Sequence, residues 1–185
     1  MNIKEMKNKI YSLLDLPALQ DESALFAALD SASRKIALYA KCIKKSEAVF
    51  FSAEKGGMSA DLPSDFAAFA RVERGARVFP REFFEIIGKK IKSTAVSGEC
   101  ELVYYAYPPS ARECGEDGEL FADAYICDTA VYGAAMELCA SVAPSDVQRY
   151  MRIATEYDER MAGIISGAGA CVANTFFSGM RGAFI

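Results

Sequence analysis

The sequence predicts an α+β fold, mainly α: a helical bundle of two N-terminal and two C-terminal helices with an inserted antiparallel β meander. Three observations predict it. Apolar residues recur at steps of three and four in the first 45 residues and again after residue 119. Between them, at about 48–107, short aromatic and β-branched runs are punctuated by Gly turns. The composition is that of a globular chain, with 52% hydrophobic and 25% charged residues among 185. That length suits a single domain over 1–165, followed by a flexible Gly-rich C-terminal tail at 166–185.

The first helix opens on Asn2 with Glu5 three residues later, a capping-box spacing. Met6, Ile10, Leu13 and Leu14 form its apolar side, and Pro17 disfavours helix at Leu16. Asp21 is a candidate cap for a second helix to about Lys44. Its stripe is Leu25, Leu29, Ala32, Ile36, Tyr39 and Ile43.

The period then changes. Ala48-Val49-Phe50-Phe51 reads as a strand and Gly56-Gly57 as a turn. Phe66 to Val72 fits a strand or a short helical turn. Phe83 to Ile87, Gly88-Lys89-Lys90 and Ile91 read as strand, turn, strand. Leu102 to Tyr107 is the clearest strand, rich in aromatic and β-branched residues.

A polar loop from Pro108 to Gly118 leads to a third helix over 119–142, whose apolar stripe is Leu120, Ala124, Cys127, Val131, Ala134, Ala135 and Leu138, many of them small. Small residues permit close helix packing. Ser145 with Gln148 is a second capping-box spacing, opening a fourth helix to about Ile165. Val147, Met151, Ala154, Tyr157 and Met161 form its expected buried face. The charge-free stretch after Ala162 holds Gly163, Gly167 and Gly169, and is too polar for a membrane span. No signal-peptide pattern opens the chain, so no membrane association is expected.

Several functions are disfavoured. There is no histidine, which removes Ser-His-Asp and Cys-His catalysis and the commonest zinc ligand. The six cysteines show no CxxC spacing, so neither a metal nor a redox site is expected, and no cofactor is assigned. The net charge of −4 argues against a large basic nucleic-acid surface, and no sequence-specific nucleic-acid partner is expected. The lysine clusters at 41, 44, 45 and at 89, 90, 92 read as solvated faces. Tyr104, Tyr105 and Tyr107 are able to stack bases but read more simply as cross-strand packing. Glu82 with Glu85, and the loop acids Glu113, Glu116, Asp117 and Glu119, are the candidates for carboxylate hydrolysis. Solvated surface explains them as well, and no catalytic residue is nominated. Cys114 lies among acids that oppose thiolate formation.

The order of segments resembles a family. Leu62-Pro63-Ser64-Asp65-Phe66 follows the N-terminal helices, and Tyr104-Tyr105-Ala106-Tyr107-Pro108 closes the β-rich stretch. A small-residue helix comes next, then one with Tyr150-Met151 near its start and Glu156-Tyr157-Asp158 further on. Over about residues 5–162 this is similar to the head-to-tail connector, or adaptor, proteins of tailed phages, including the tail tubular protein A group. The resemblance implies a non-enzymatic structural protein of a phage or prophage, located in the virion or the bacterial host cytoplasm. It implies a homo-oligomeric ring at the capsid vertex that joins the portal protein to a tail or head-closure protein, forms part of the DNA channel, and is possible as a monomer when free. In that setting the tail residues Phe176, Phe177, Phe184 and Ile185 are the expected interface anchors. A cytosolic helical interaction module is the alternative, with a carboxylate hydrolase behind it.

Overall fold

The computed structural model describes residues 1–17, 22–54 and 56–178, with side chains to residue 167. The chain divides into two compact units, one comprising Met1–Ala40 with Pro108–Ile185 and the other Lys41–Tyr107.

The first unit is helical. Helix α1 spans Ile3–Leu14, and its predicted capping box forms: Asn2 Oδ1 accepts from Glu5 N at 2.8 Å, and Glu5 Oε2 accepts from Asn2 N at 3.0 Å. Ile3, Met6, Ile10 and Leu14 are its buried stripe, and Asp15 ends it in the left-handed region at φ 54°. Helix α2 spans Ser23–Ala40 and buries Leu25, Leu29, Ala32 and Ile36. It stops four residues short of Lys44. Lys41 takes φ 48°, which breaks the helix, and Tyr39 of the expected stripe is 51% exposed.

After the one-turn helix α3 (Ala111–Cys114), helix α4 spans Ala124–Val142. The expected start at residue 119 fails because Asp123 caps this helix, accepting from Tyr125 N at 2.7 Å and Ile126 N at 3.3 Å. Leu120 and Phe121 are buried in the loop ahead of it. Helix α4 packs against α1 and α2. It also packs against α5, which spans Val147–Ser178. Asp146, not Ser145, supplies the α5 cap, accepting from Arg149 N at 3.0 Å. The buried face of α5 is Ile153, Tyr157 and Ile164, whereas Val147 and Met151 are 62% and 57% exposed. Gly133 on α4 explains how closely these helices approach. A Cβ there would lie 2.9 Å from Ala32 Cβ on α2 and 2.9 Å from Tyr157 Cε2 on α5.

The second unit corrects the predicted fold class. Its strands are not a small meander inserted in a helical bundle. They are β1 (Lys44–Glu54), β2 (Gly57–Asp61), β3 (Phe66–Arg74), β4 (Arg77–Phe79), β5 (Phe84–Ile87), β6 (Lys90–Ser93) and β7 (Gly98–Ala106). They form one seven-stranded antiparallel sheet in the order β4-β3-β7-β1-β2-β6-β5. A meander would pair sequential strands throughout. Here β7 instead lies between β1 and β3, so the last strand of the segment is central to the sheet.

The sheet curls onto a core of its own. Phe69 on β3 and Phe84 on β5 are far apart in strand order, yet their ring centroids are 5.6 Å apart. Phe51 on β1 reaches the same Phe84 ring at 5.9 Å. The inward residues Val49, Phe51, Val72, Phe79, Phe84, Ile91, Leu102 and Tyr104 make one buried cluster. Strand β1 is where the sheet turns: residues 44–51 pair with β7 and residues 52–54 pair with β2. Register shifts between Phe66 and Ala68 and between Phe69 and Arg71 add local twist to β3. The turn at Gly88, with φ 60°, joins β5 to β6 as the sequence predicts.

Candidate functional site

Two of the segments on which the resemblance rests meet in the second unit, and Asp65 is where they join. Tyr104 sits on β7 with its side chain inward and only 2% exposed. Alternation along the strand dictates this, because Cys100, Leu102 and Ala106 share its face. Its hydroxyl donates to Asp65 Oδ1 at 2.9 Å, with Glu47 Oε2 further off at 3.5 Å. Lys45 Nζ donates to the other Asp65 oxygen at 2.5 Å. Phe66 stacks on the Tyr104 ring at 5.8 Å, and Tyr107 N donates to the Asp65 carbonyl at 2.8 Å. Side chain and backbone therefore both stitch residues 62–66 to β7. A surface depression beside them is lined by Lys45, Ser46, Glu47, Pro63, Ser64 and Asp65.

Electrostatics keep the pair in one protonation state. Burial opposes the Asp65 charge, but hydrogen bonds from Lys45 and Tyr104 prevail and hold its pKa below the usual aspartate value. Burial, and then the adjoining Asp65 carboxylate, push the Tyr104 phenol well above its ordinary value. The phenol remains a donor and the carboxylate an acceptor at physiological pH. With both partners occupied by each other, this arrangement positions chain; it is not set up for proton transfer.

The candidate acids do not gather into a comparable cluster. Glu82 and Glu85 are exposed on the short turn at Arg81–Phe83 and on β5. In the acidic loop, Glu116 accepts from Lys7 Nζ at 3.1 Å, and Glu22 takes the same ammonium at 2.7 Å. Lys7 is buried, and its pKa is raised chiefly by the hydrogen bond to Glu22. Glu116 thus serves to tie α1 to the loop. The Cys114 thiol is pushed up first by burial and then by Asp30 and Glu113, in line with the sequence reading. Among the described residues no group of three metal-ligating side chains sits together. Also among them, no helix is long and apolar enough to cross a membrane.

Two of the lysines in the sequence clusters have structural roles: Lys45 on Asp65, and Lys90 on Glu54 at 2.7 Å. Of the tyrosines, Tyr104 is core and Tyr105 is half-buried with Lys41 Nζ 5.8 Å from its ring. The four predicted anchors fall outside the described side chains. Phe176 and Phe177 lie within the bounds of α5, and Phe184 and Ile185 lie outside the described residues altogether.

The sequence reading missed an apolar corner where α4 turns into α5. Cys139, Ala140, Ala143, Pro144, Val147 and Tyr150 line a notch there. Val142 and Met151 beside it are 43% and 57% exposed. The signal is present in sequence, since the spacing of Val147 and Met151 groups them on one apolar helix face. What decides their exposure is the phase of α5 against α4, which spacing alone does not fix. Neither a known family model nor a curated protein matches the chain.

Proposed function

We propose that the protein is a phage or prophage adaptor that joins the portal to the tail by ring assembly at the capsid vertex. The order of the quoted segments along the chain is the basis of the reading. The observation that carries it further is the bond between Asp65 and Tyr104, because it makes the two most distinctive segments parts of one structural element. The role is mechanical: apolar interface area supplies affinity and symmetry sets the geometry. The acidic balance suits a channel that lets DNA slide, since like charge repels phosphate. In this reading the tail anchors Phe176, Phe177, Phe184 and Ile185 contact the portal or a neighbouring subunit.

Mixing the purified protein with the portal encoded beside its gene, then imaging by negative-stain electron microscopy, tests the proposal. A new ring layer on the portal is the expected result. Absence of a layer with folded protein in excess would overturn it.

The exposed corner between α4 and α5 favours one second reading, a cytosolic interaction module that uses this apolar surface. Binding of a non-phage partner at that corner, with no portal layer, would distinguish it.

A further inference from the structure

The corner between α4 and α5 gathers several exposed apolar side chains of the helical unit. Val147 is 62% exposed, Met151 57%, Val142 43% and Tyr150 36%. Grouped exposure of this kind marks an interaction surface. The chain itself supplies a matching element. Residues 179–185, Gly-Met-Arg-Gly-Ala-Phe-Ile, carry three large apolar side chains and a single charge.

The geometry of α5 prevents this segment from reaching the corner of its own chain. Helices α4 and α5 run antiparallel: Tyr125 in the first turn of α4 donates its hydroxyl to the Arg160 carbonyl, and a Cβ at Gly163 would meet the same hydroxyl at 2.8 Å. By Gly163, then, α5 has already reached the end of α4 opposite the corner. It continues to Ser178. At 1.5 Å per residue that places Ser178 about 46 Å from Val147. Six residues from Ser178 to Phe184 span at most about 20 Å. Seven residues beyond Ser178 are therefore too short a span to reach back to the corner of the same chain, whereas the corner of a second copy is open to them.

We propose that residues 179–185 of one copy seat in the α4–α5 corner of the next, with Phe184 and Ile185 entering the notch lined by Ala143, Pro144, Val147 and Tyr150. This rests on the ring-assembly reading and gives it a joint. The contact is heterologous, head to tail, and such contacts generate a ring when the rotation closes.

Full-length protein with p-benzoylphenylalanine in place of Phe184 tests it. Equal amounts of nitrogen-15-labelled and unlabelled protein are mixed, irradiated over a concentration series to about the millimolar range characteristic of weak contacts, and mapped by mass spectrometry. Cross-links from residue 184 to residues 139–151 in mixed light–heavy pairs are expected. Adding Val147→Asp should lower their yield about tenfold or more, because a carboxylate in the notch costs at least about 1.4 kcal/mol. Val147→Ile should retain them, and circular dichroism should show both variants folded. Cross-links confined to one chain, cross-links to another surface, or none across the series would each overturn the proposal. A ring layer on the portal without this cross-link would remove the joint and leave the adaptor reading standing. The cross-link without a portal layer would do the reverse.

Discussion

The Tyr104 hydroxyl donates to Asp65 Oδ1 at 2.9 Å across 39 positions of sequence. Lys45 holds the second oxygen of the same carboxylate at 2.5 Å. One aspartate thus ties the Leu62–Phe66 segment to β1 and β7 together.

Removing either partner should loosen that segment without unfolding the unit. Tyr104→Phe keeps the buried ring and its stack on Phe66, and should cost about 1–2 kcal/mol for the lost hydrogen bond. Asp65→Asn should cost more, about 1–3 kcal/mol, because it also removes the acceptor charge facing Lys45. Urea denaturation of the two variants checks the order; equal stability of Asp65→Asn and wild type would contradict it.

The same pair sets a pH dependence. The folded-state pKa of Asp65 lies below an unfolded-state value of about 3.9. Its contribution is complete above that value and is lost as pH falls through the folded-state value. Melting temperatures from pH 7 down to pH 2 should show the gap between wild type and Asp65→Asn narrowing on the acid side. A gap of constant size would show that Asp65 carries no such linkage.

Gly133→Ala tests the close approach of α2, α4 and α5. Alanine should gain about 1 kcal/mol in helix propensity. Overpacking against Ala32 and the Tyr157 ring should cost about 1–3 kcal/mol. The expected net effect is a lower denaturation midpoint, and a stabilised variant would mean that the helices yield to the methyl group.

Lys7 tests the tie between α1, the start of α2 and the acidic loop. Lys7→Met fills the same space and leaves Glu22 and Glu116 to water, which both side chains partly reach already. The cost should be modest, about 1–2 kcal/mol. The Lys7 pKa is raised in the fold, so its stabilisation is present below an unfolded-state value of about 10.4 and disappears as pH rises through the folded-state one. Amide exchange in α1 and residues 113–118 should accelerate in the variant; unchanged exchange in the loop would rule out the tie.

The phase of α5 is open to a paired test. Met151→Ala should change stability by no more than about 0.5 kcal/mol, as at other surface positions. Ile153→Ala should cost about 2–5 kcal/mol, since Ile153 is 1% exposed. Thermal melts of the two variants read this directly, and the opposite order would place the apolar corner in the core.

Local signals in the chain carried much of the element structure. Asn2 and Glu5 are three apart and close their capping box wherever the helix goes, because every atom involved belongs to one turn. Gly88 marks the β5–β6 turn for a similar reason, since a φ of 60° suits a residue without a Cβ. The small residues of α4 announced close packing, which Gly133 delivers. At helix ends, where two acceptors compete within a few residues, local reading was weaker: Asp146 took the cap expected of Ser145, and Asp123 started α4 later than the apolar run suggested.

The sequence by itself determined that strands would interrupt two helical stretches, and it named Asp65 and Tyr104 as members of separate distinctive segments. Only tertiary structure decided that those two side chains meet, that β7 inserts between β1 and β3, and that the sheet closes on its own core. Periodicity records which residues turn toward an interior but not which interior. Strand order, helix phase and long-range hydrogen bonds depend on contacts between residues tens of positions apart, whose free energy is settled when the whole chain packs.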